Sequence, residues 1–140
     1  ACDRETAQAK IFQSKLLYVS GGNTFYLLQE LKKKQLLFLI KEQIADGMVY
    51  VGESAGAVIT AEDIDYIRLM DDKEVAGELS DTVALKEADF YLLPHVGEEP
   101  FAESAQAILD TYGDKLNLLP LNNRQAVLVE DEEVKVLEEE

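Results

Sequence analysis

Leu16-Leu17-Tyr18-Val19 is a short apolar run that stops at Ser20-Gly21-Gly22-Asn23, the pattern of a buried strand ended by a glycine turn. A helix is predicted next, because Asn23 or Thr24 can cap its start and Phe25, Leu27, Leu28 and Leu31 recur at helical spacing. A second helix is predicted from Leu36 to Ala45, with Gly47 where a helix end favours a residue without a Cβ. The chain resumes as a strand at Met48-Val49-Tyr50-Val51 and meets Gly52. Ala55-Gly56-Ala57-Val58-Ile59 then reads as the tightly packed start of another helix. Residues 61–88 are acidic and weakly periodic, so a loop with some short structure is expected there.

Phe90-Tyr91-Leu92-Leu93 is a third strand, ended by Pro94, which has no N–H to give to a ladder. Pro100 opens a predicted helix through about Tyr112, with Gly113 as its stop, and Leu116 to Leu119 reads as a fourth strand. Gln125–Val129 and Val134–Leu137 flank an acidic turn as a hairpin. Strands alternating with helices predict an α/β fold, a three-layer αβα sandwich around a mainly parallel sheet. Its ligand sites gather beyond the carboxyl ends of the strands. Ser20-Gly21-Gly22, the serine at 54 and the histidine at 95 each follow a predicted strand, which places them along one edge of that sheet.

Composition narrows the partners. A chain of 140 residues, 47% of them apolar, supports one core and one domain. A net charge of −15 opposes binding to nucleic acid, which draws on clustered Lys and Arg. Lys32-Lys33-Lys34, the one basic run, reads as a solvated helix face. The longest unbroken apolar stretch, Leu36 to Ile40, is far below the roughly 20 residues of a membrane span, and the first residues lack the pattern of a signal peptide. Cys2 has no second cysteine to pair with. These features lead to the expectation of a cytoplasmic protein with no membrane partner.

Gly52-Glu53-Ser54-Ala55-Gly56 matches G-x-S-x-G, in which a strained strand-to-helix turn lifts a serine hydroxyl above the sheet. The bland alternative is a serine that caps a helix. A serine hydroxyl needs a base to act as a nucleophile at neutral pH, and His95 is the single histidine. The oxyanion of an acyl-transfer intermediate needs N–H donors. The amide of Ala55 is one source, and Gly21 or Gly22 is a second.

Val19-Ser20-Gly21-Gly22-Asn23-Thr24-Phe25, then Tyr50-Val51-Gly52-Glu53-Ser54-Ala55-Gly56-Ala57, then Leu93-Pro94-His95 resemble, in that order, the dipeptidase E family of serine peptidases, of which cyanophycinase is a relative. The resemblance implies a fold similar to class I glutamine amidotransferases, a triad of Ser, His and an acid, and hydrolysis of dipeptides with an N-terminal aspartate. Carried onto this chain, it implies Ser54 as nucleophile, His95 as base, and Gly22 and Ala55 as the oxyanion hole.

Two departures stand out. The family begins with two further βα units before the strand at Leu16, so the chain is expected to be one peptidase-like domain that lacks them. Either it is part of a longer protein or a second subunit, as in a homodimer, supplies the edge. The family's acid also aligns best with Asn123, beside Asn122. An asparagine carbonyl can orient a histidine ring but adds no charge; Glu98, Glu99, Asp63 and Asp65 are alternative acids.

A pocket for an aspartyl side chain needs a cation, and Arg68 and Arg124 are the candidates. Glu53 could pair with a substrate's amino group, and Gly21 could clear space for the substrate. The function expected is hydrolysis of short peptides through an acyl-enzyme, which needs no metal and no cofactor. The alternative is a non-catalytic binding module on the same fold. A phosphate-cradling turn at Ser20–Asn23 is a weaker reading, because neither G-x-G-x-x-G nor a Walker lysine is present.

Overall fold

The structure is a computed structural model that describes residues 2–140. It opens with helix α1 (Arg4–Gln13), followed by strand β1 (Leu16–Val19), helices α2 (Thr24–Lys33) and α3 (Leu37–Ala45), strand β2 (Val49–Gly52) and the single turn of helix α4 (Ala55–Val58). Strand β3 (Tyr91–Leu93), helix α5 (Ala102–Tyr112), strand β4 (Leu118–Pro120) and the hairpin β5 (Gln125–Glu130) and β6 (Glu133–Glu138) complete it. The chain has an α/β fold, and the predicted elements are found within a few residues of their expected ends. Asn23 caps α2 by accepting from the Tyr26 N–H, and Gly113 follows the last residue of α5.

Helix α1 has no counterpart in the sequence prediction. Its carboxylate cap, Asp3, accepts from the Thr6 N–H, and only Ala7 and Ile11, one turn apart, are buried. Two apolar contacts in a polar segment give almost no periodic signal; packing of α1 on α3 holds it in place.

The sheet also differs from the expectation. β1 and β2 are parallel, pairing Leu16 with Val49 through Val19 with Gly52, and β3 and β4 are parallel, but the two ladders are separate and β5–β6 is an antiparallel third. Strands of three or four residues offer few ladder bonds, and α4, which packs on β1, β2 and β3, joins the two parallel ladders in place of a shared edge. Along β1–β2, Leu17, Val19 and Tyr50 turn toward the core formed with the helices, whereas Leu16, Tyr18, Val49 and Val51 are exposed.

The acidic segment 61–88 carries two 3₁₀ turns, Asp65–Leu69 and Lys73–Val75, and an isolated bridge between Asp63 and Val83. Ile64, Tyr66, Ile67 and Leu85 from this segment are buried in the main core. The Tyr66 hydroxyl donates to the Leu92 carbonyl at 2.5 Å, and burial pushes its pKa up. Among the described residues no helix is long and apolar enough to cross a membrane.

Candidate active site

The elbow is built by close packing. A Cβ on Gly52 would overlap the Gly56 carbonyl, and a Cβ on Gly56 would overlap the Val19 carbonyl, so α4 can lie against β1 and β2 only with glycine at both positions. The Tyr50 hydroxyl donates to the Gly56 carbonyl at 2.5 Å and fixes the first turn from below. Burial raises the pKa of that hydroxyl, which keeps it a donor. Ser54 takes φ 51° and ψ −110°, a strained left-handed backbone that projects its side chain off the end of β2. It makes no capping bond of the kind the bland reading requires.

His95 follows β3 and the buried Pro94, also at positive φ, 64°. Its Nε2 lies 3.0 Å from the Ser54 Oγ, and its Nδ1 lies 2.8 Å from the Asn123 Oδ1. An amide oxygen only accepts, so Nδ1 carries the ring proton and Nε2 is left to accept from the serine hydroxyl. Phe101, just before α5, stacks on the imidazole at 4.7 Å between ring centres and 23° between planes. Ser54, His95 and Asn123 thus form one chain of contacts.

The carboxylates of Glu98, Asp63 and Asp65 make no hydrogen bond to the His95 ring. The Glu98 carboxylate accepts the Asn123 N–H at 3.4 Å, behind the asparagine. Asp63 accepts from the Thr82 hydroxyl and the Asp65 N–H, and Asp65 pairs with Arg68 and Lys73. Among the described residues no group of three His, Cys, Asp or Glu side chains is placed to hold a metal.

Gly21 faces the nucleophile; a Cβ there would stand 3.3 Å from the Ser54 Cβ. Gly22, at φ 131°, continues that turn. The N–H groups of Gly22 and Ala55 donate to no acceptor among the described residues, as free oxyanion donors must. A cavity of about 360 Å³ opens beside the Ser54–His95 pair. Its walls include Val58, Ile67, Met70 and Phe101, and its one ionisable group besides His95 is Asp71.

The charged residues expected to bind substrate make contacts outside the cavity. Arg68 pairs with Asp65 at 3.5 Å, and Arg124 donates to the Glu139 carbonyl at 2.8 Å; neither lines the cavity. Glu53 accepts from the Tyr18 hydroxyl, a bond that pushes the Tyr18 pKa up. Sequence reasoning did not single out Asp71 or Phe101. One acid among many in 61–88 carries no distinguishing signal, and an aromatic at the start of a helix reads as core.

Residues 3–137 match the profile of peptidase family S51. The chain belongs to this family. A relative described as an uncharacterized peptidase, from Pasteurella multocida (strain Pm70), is 49% identical over 123 residues, covering 88% of this chain and 59% of its own length. Another, from Listeria innocua, is 47% identical, covering 90% of this chain and 60% of its own. Peptidase E of Shewanella amazonensis is 44% identical over 79 residues, 56% of this chain and 32% of its own. A Listeria monocytogenes EGD-e crystal structure at 1.5 Å, provisionally described as peptidase E, aligns with a TM-score of 0.93 and 38% identity, covering 100% of this chain and 67% of that one. The chain therefore spans about 60% of the length of the two uncharacterized peptidases.

Proposed function

We propose that this chain carries the catalytic centre of a serine peptidase acting on short peptides. The carrying observation is the contact chain from Ser54 Oγ to His95 Nε2 at 3.0 Å and from His95 Nδ1 to Asn123 Oδ1 at 2.8 Å. Ser54 Oγ attacks the scissile carbonyl carbon while its proton passes to His95 Nε2. The Ala55 and Gly22 N–H groups take up the charge on the carbonyl oxygen. Collapse breaks the C–N bond, and His95 returns the proton to the leaving amine. An ester on Ser54 remains. Water, giving its proton to His95, then attacks the ester; the C–Oγ bond breaks, the acid leaves, and His95 returns the proton to Ser54 Oγ.

Asn123 orients the ring without adding charge to the imidazolium, so the rate enhancement expected is below that of a triad with an acid. That same feature favours the second reading, a binding module on the fold. The three-layer, amidotransferase-like architecture belongs to the proposal too: further βα units would cover the exposed Leu16, Tyr18, Val49 and Val51 face. So does a cytoplasmic location. Aspartyl dipeptides are the substrates that the family resemblance implies, and they are the first to assay.

The test uses a fluorophosphonate on the full-length folded protein. Covalent labelling at Ser54, absent in Ser54→Ala, together with peptide turnover lost in the same variant, is the expected result. An unlabelled, folded protein that binds peptides without cleaving them would establish the binding module instead.

A further inference from the structure

The cavity beside the nucleophile has a chemical character of its own. Val58, Ile67, Met70 and Phe101 give it apolar walls, and Asp71 gives it a carboxylate. One Asp71 oxygen, Oδ2, accepts from the Thr24 N–H at 2.8 Å and from the Thr24 hydroxyl at 2.6 Å. The other, Oδ1, has no partner among the described residues. No Lys or Arg among the described residues lines the space, and the whole chain carries a charge of −15. A substrate carboxylate entering there would be desolvated beside a fixed negative charge, in a negative overall field. A substrate ammonium group would meet a counter-ion in the Asp71 carboxylate of the same cavity.

We propose that this cavity selects peptides whose residue on the acyl side of the cut bond presents an ammonium group, with Asp71 as its counter-ion, and rejects an aspartyl side chain. The inference rests on the serine-peptidase reading for its reaction but not for its binding. The ammonium is either a free α-amino group or a lysine side chain. Oδ2, already held by Thr24, fixes the carboxylate so that Oδ1 remains the acceptor.

Calorimetry on the full-length Ser54→Ala protein tests this without requiring catalysis. The ligands are Leu-Leu, Lys-Leu, Asp-Leu and the N-acetylated forms of the first two. Leu-Leu and Lys-Leu are expected to bind about tenfold or more tighter than Asp-Leu, a difference that shrinks to about threefold or less with Asp71→Asn added. Asparagine keeps an acceptor for Thr24, and an unchanged melting temperature checks that the double variant is folded. If acetylation abolishes Leu-Leu binding but spares Lys-Leu, both ammonium sources are used; if it abolishes both, the α-amino group is the anchor. Tightest binding by Asp-Leu, or discrimination that survives Asp71→Asn, overturns the proposal. Neither of those results alters fluorophosphonate labelling of Ser54, which reports on the serine-peptidase reading separately.

Discussion

At the scale of single residues, the contact between His95 and Asn123 fixes the imidazole, and under the proposed mechanism it also limits the rate. Asn123→Ala should leave the imidazole free to turn and lower kcat about tenfold or more with little change in KM, read by steady-state hydrolysis. Asn123→Asp should raise kcat, because a carboxylate stabilises imidazolium. Glu98 Oε1, 3.4 Å from the Asn123 N, will limit that gain through like-charge repulsion. Gly56→Ala is expected to cost about 3 kcal/mol of stability by overpacking, since the new methyl overlaps the Val19 carbonyl; a urea titration measures it. The meeting of Ser54 with His95 was legible in the sequence, because each stands at a strand end in a motif with few alternatives. The arginines were not, because a side chain's reach depends on loop paths that the sequence leaves open: Arg68 turned to Asp65 and Arg124 to the hairpin end.

At the scale of elements, the elbow depends on what lies under α4. Tyr50→Phe removes the donor to the Gly56 carbonyl and is expected to cost about 1 kcal/mol. The pH dependence follows from the same burial. The folded-state pKa of Tyr50 is raised above its ordinary value of 10.0, so its contribution is complete below pH 10 and is lost as the pH climbs from there toward the folded-state pKa. The stability of Tyr50→Phe should consequently fall less steeply than that of the wild type above pH 10, measured by denaturant titration at stepped pH. Elements with continuous apolar runs, β1, β2 and β3, were readable from pattern alone. Helix α1 was not, with two buried residues, and 61–88 was not, because Ile64, Tyr66, Ile67 and Leu85 reach the core from irregular backbone with no period to detect.

At the scale of the whole molecule, the α/β alternation was visible in the sequence, but the division into separate ladders was not, because pairing between distant three-residue strands leaves no local trace. The exposed face of β1–β2 yields a contrast between contexts. Val49→Lys should change the melting temperature of the 140-residue chain little, since Val49 is 55% exposed there. In a protein of the relatives' full size, where the proposed layer covers that face, the same change should cost about 2 kcal/mol or more. Equal effects in the two contexts would argue against the sandwich. The backbones of Ser54 and His95 have a thermal consequence. Neither residue prefers its left-handed turn, so neighbours must hold both, and warming that softens those neighbours releases the pair first. Peptide cleavage should therefore fade several degrees below the midpoint at which helical ellipticity is lost, and recover on brief cooling while the rest of the chain has stayed folded.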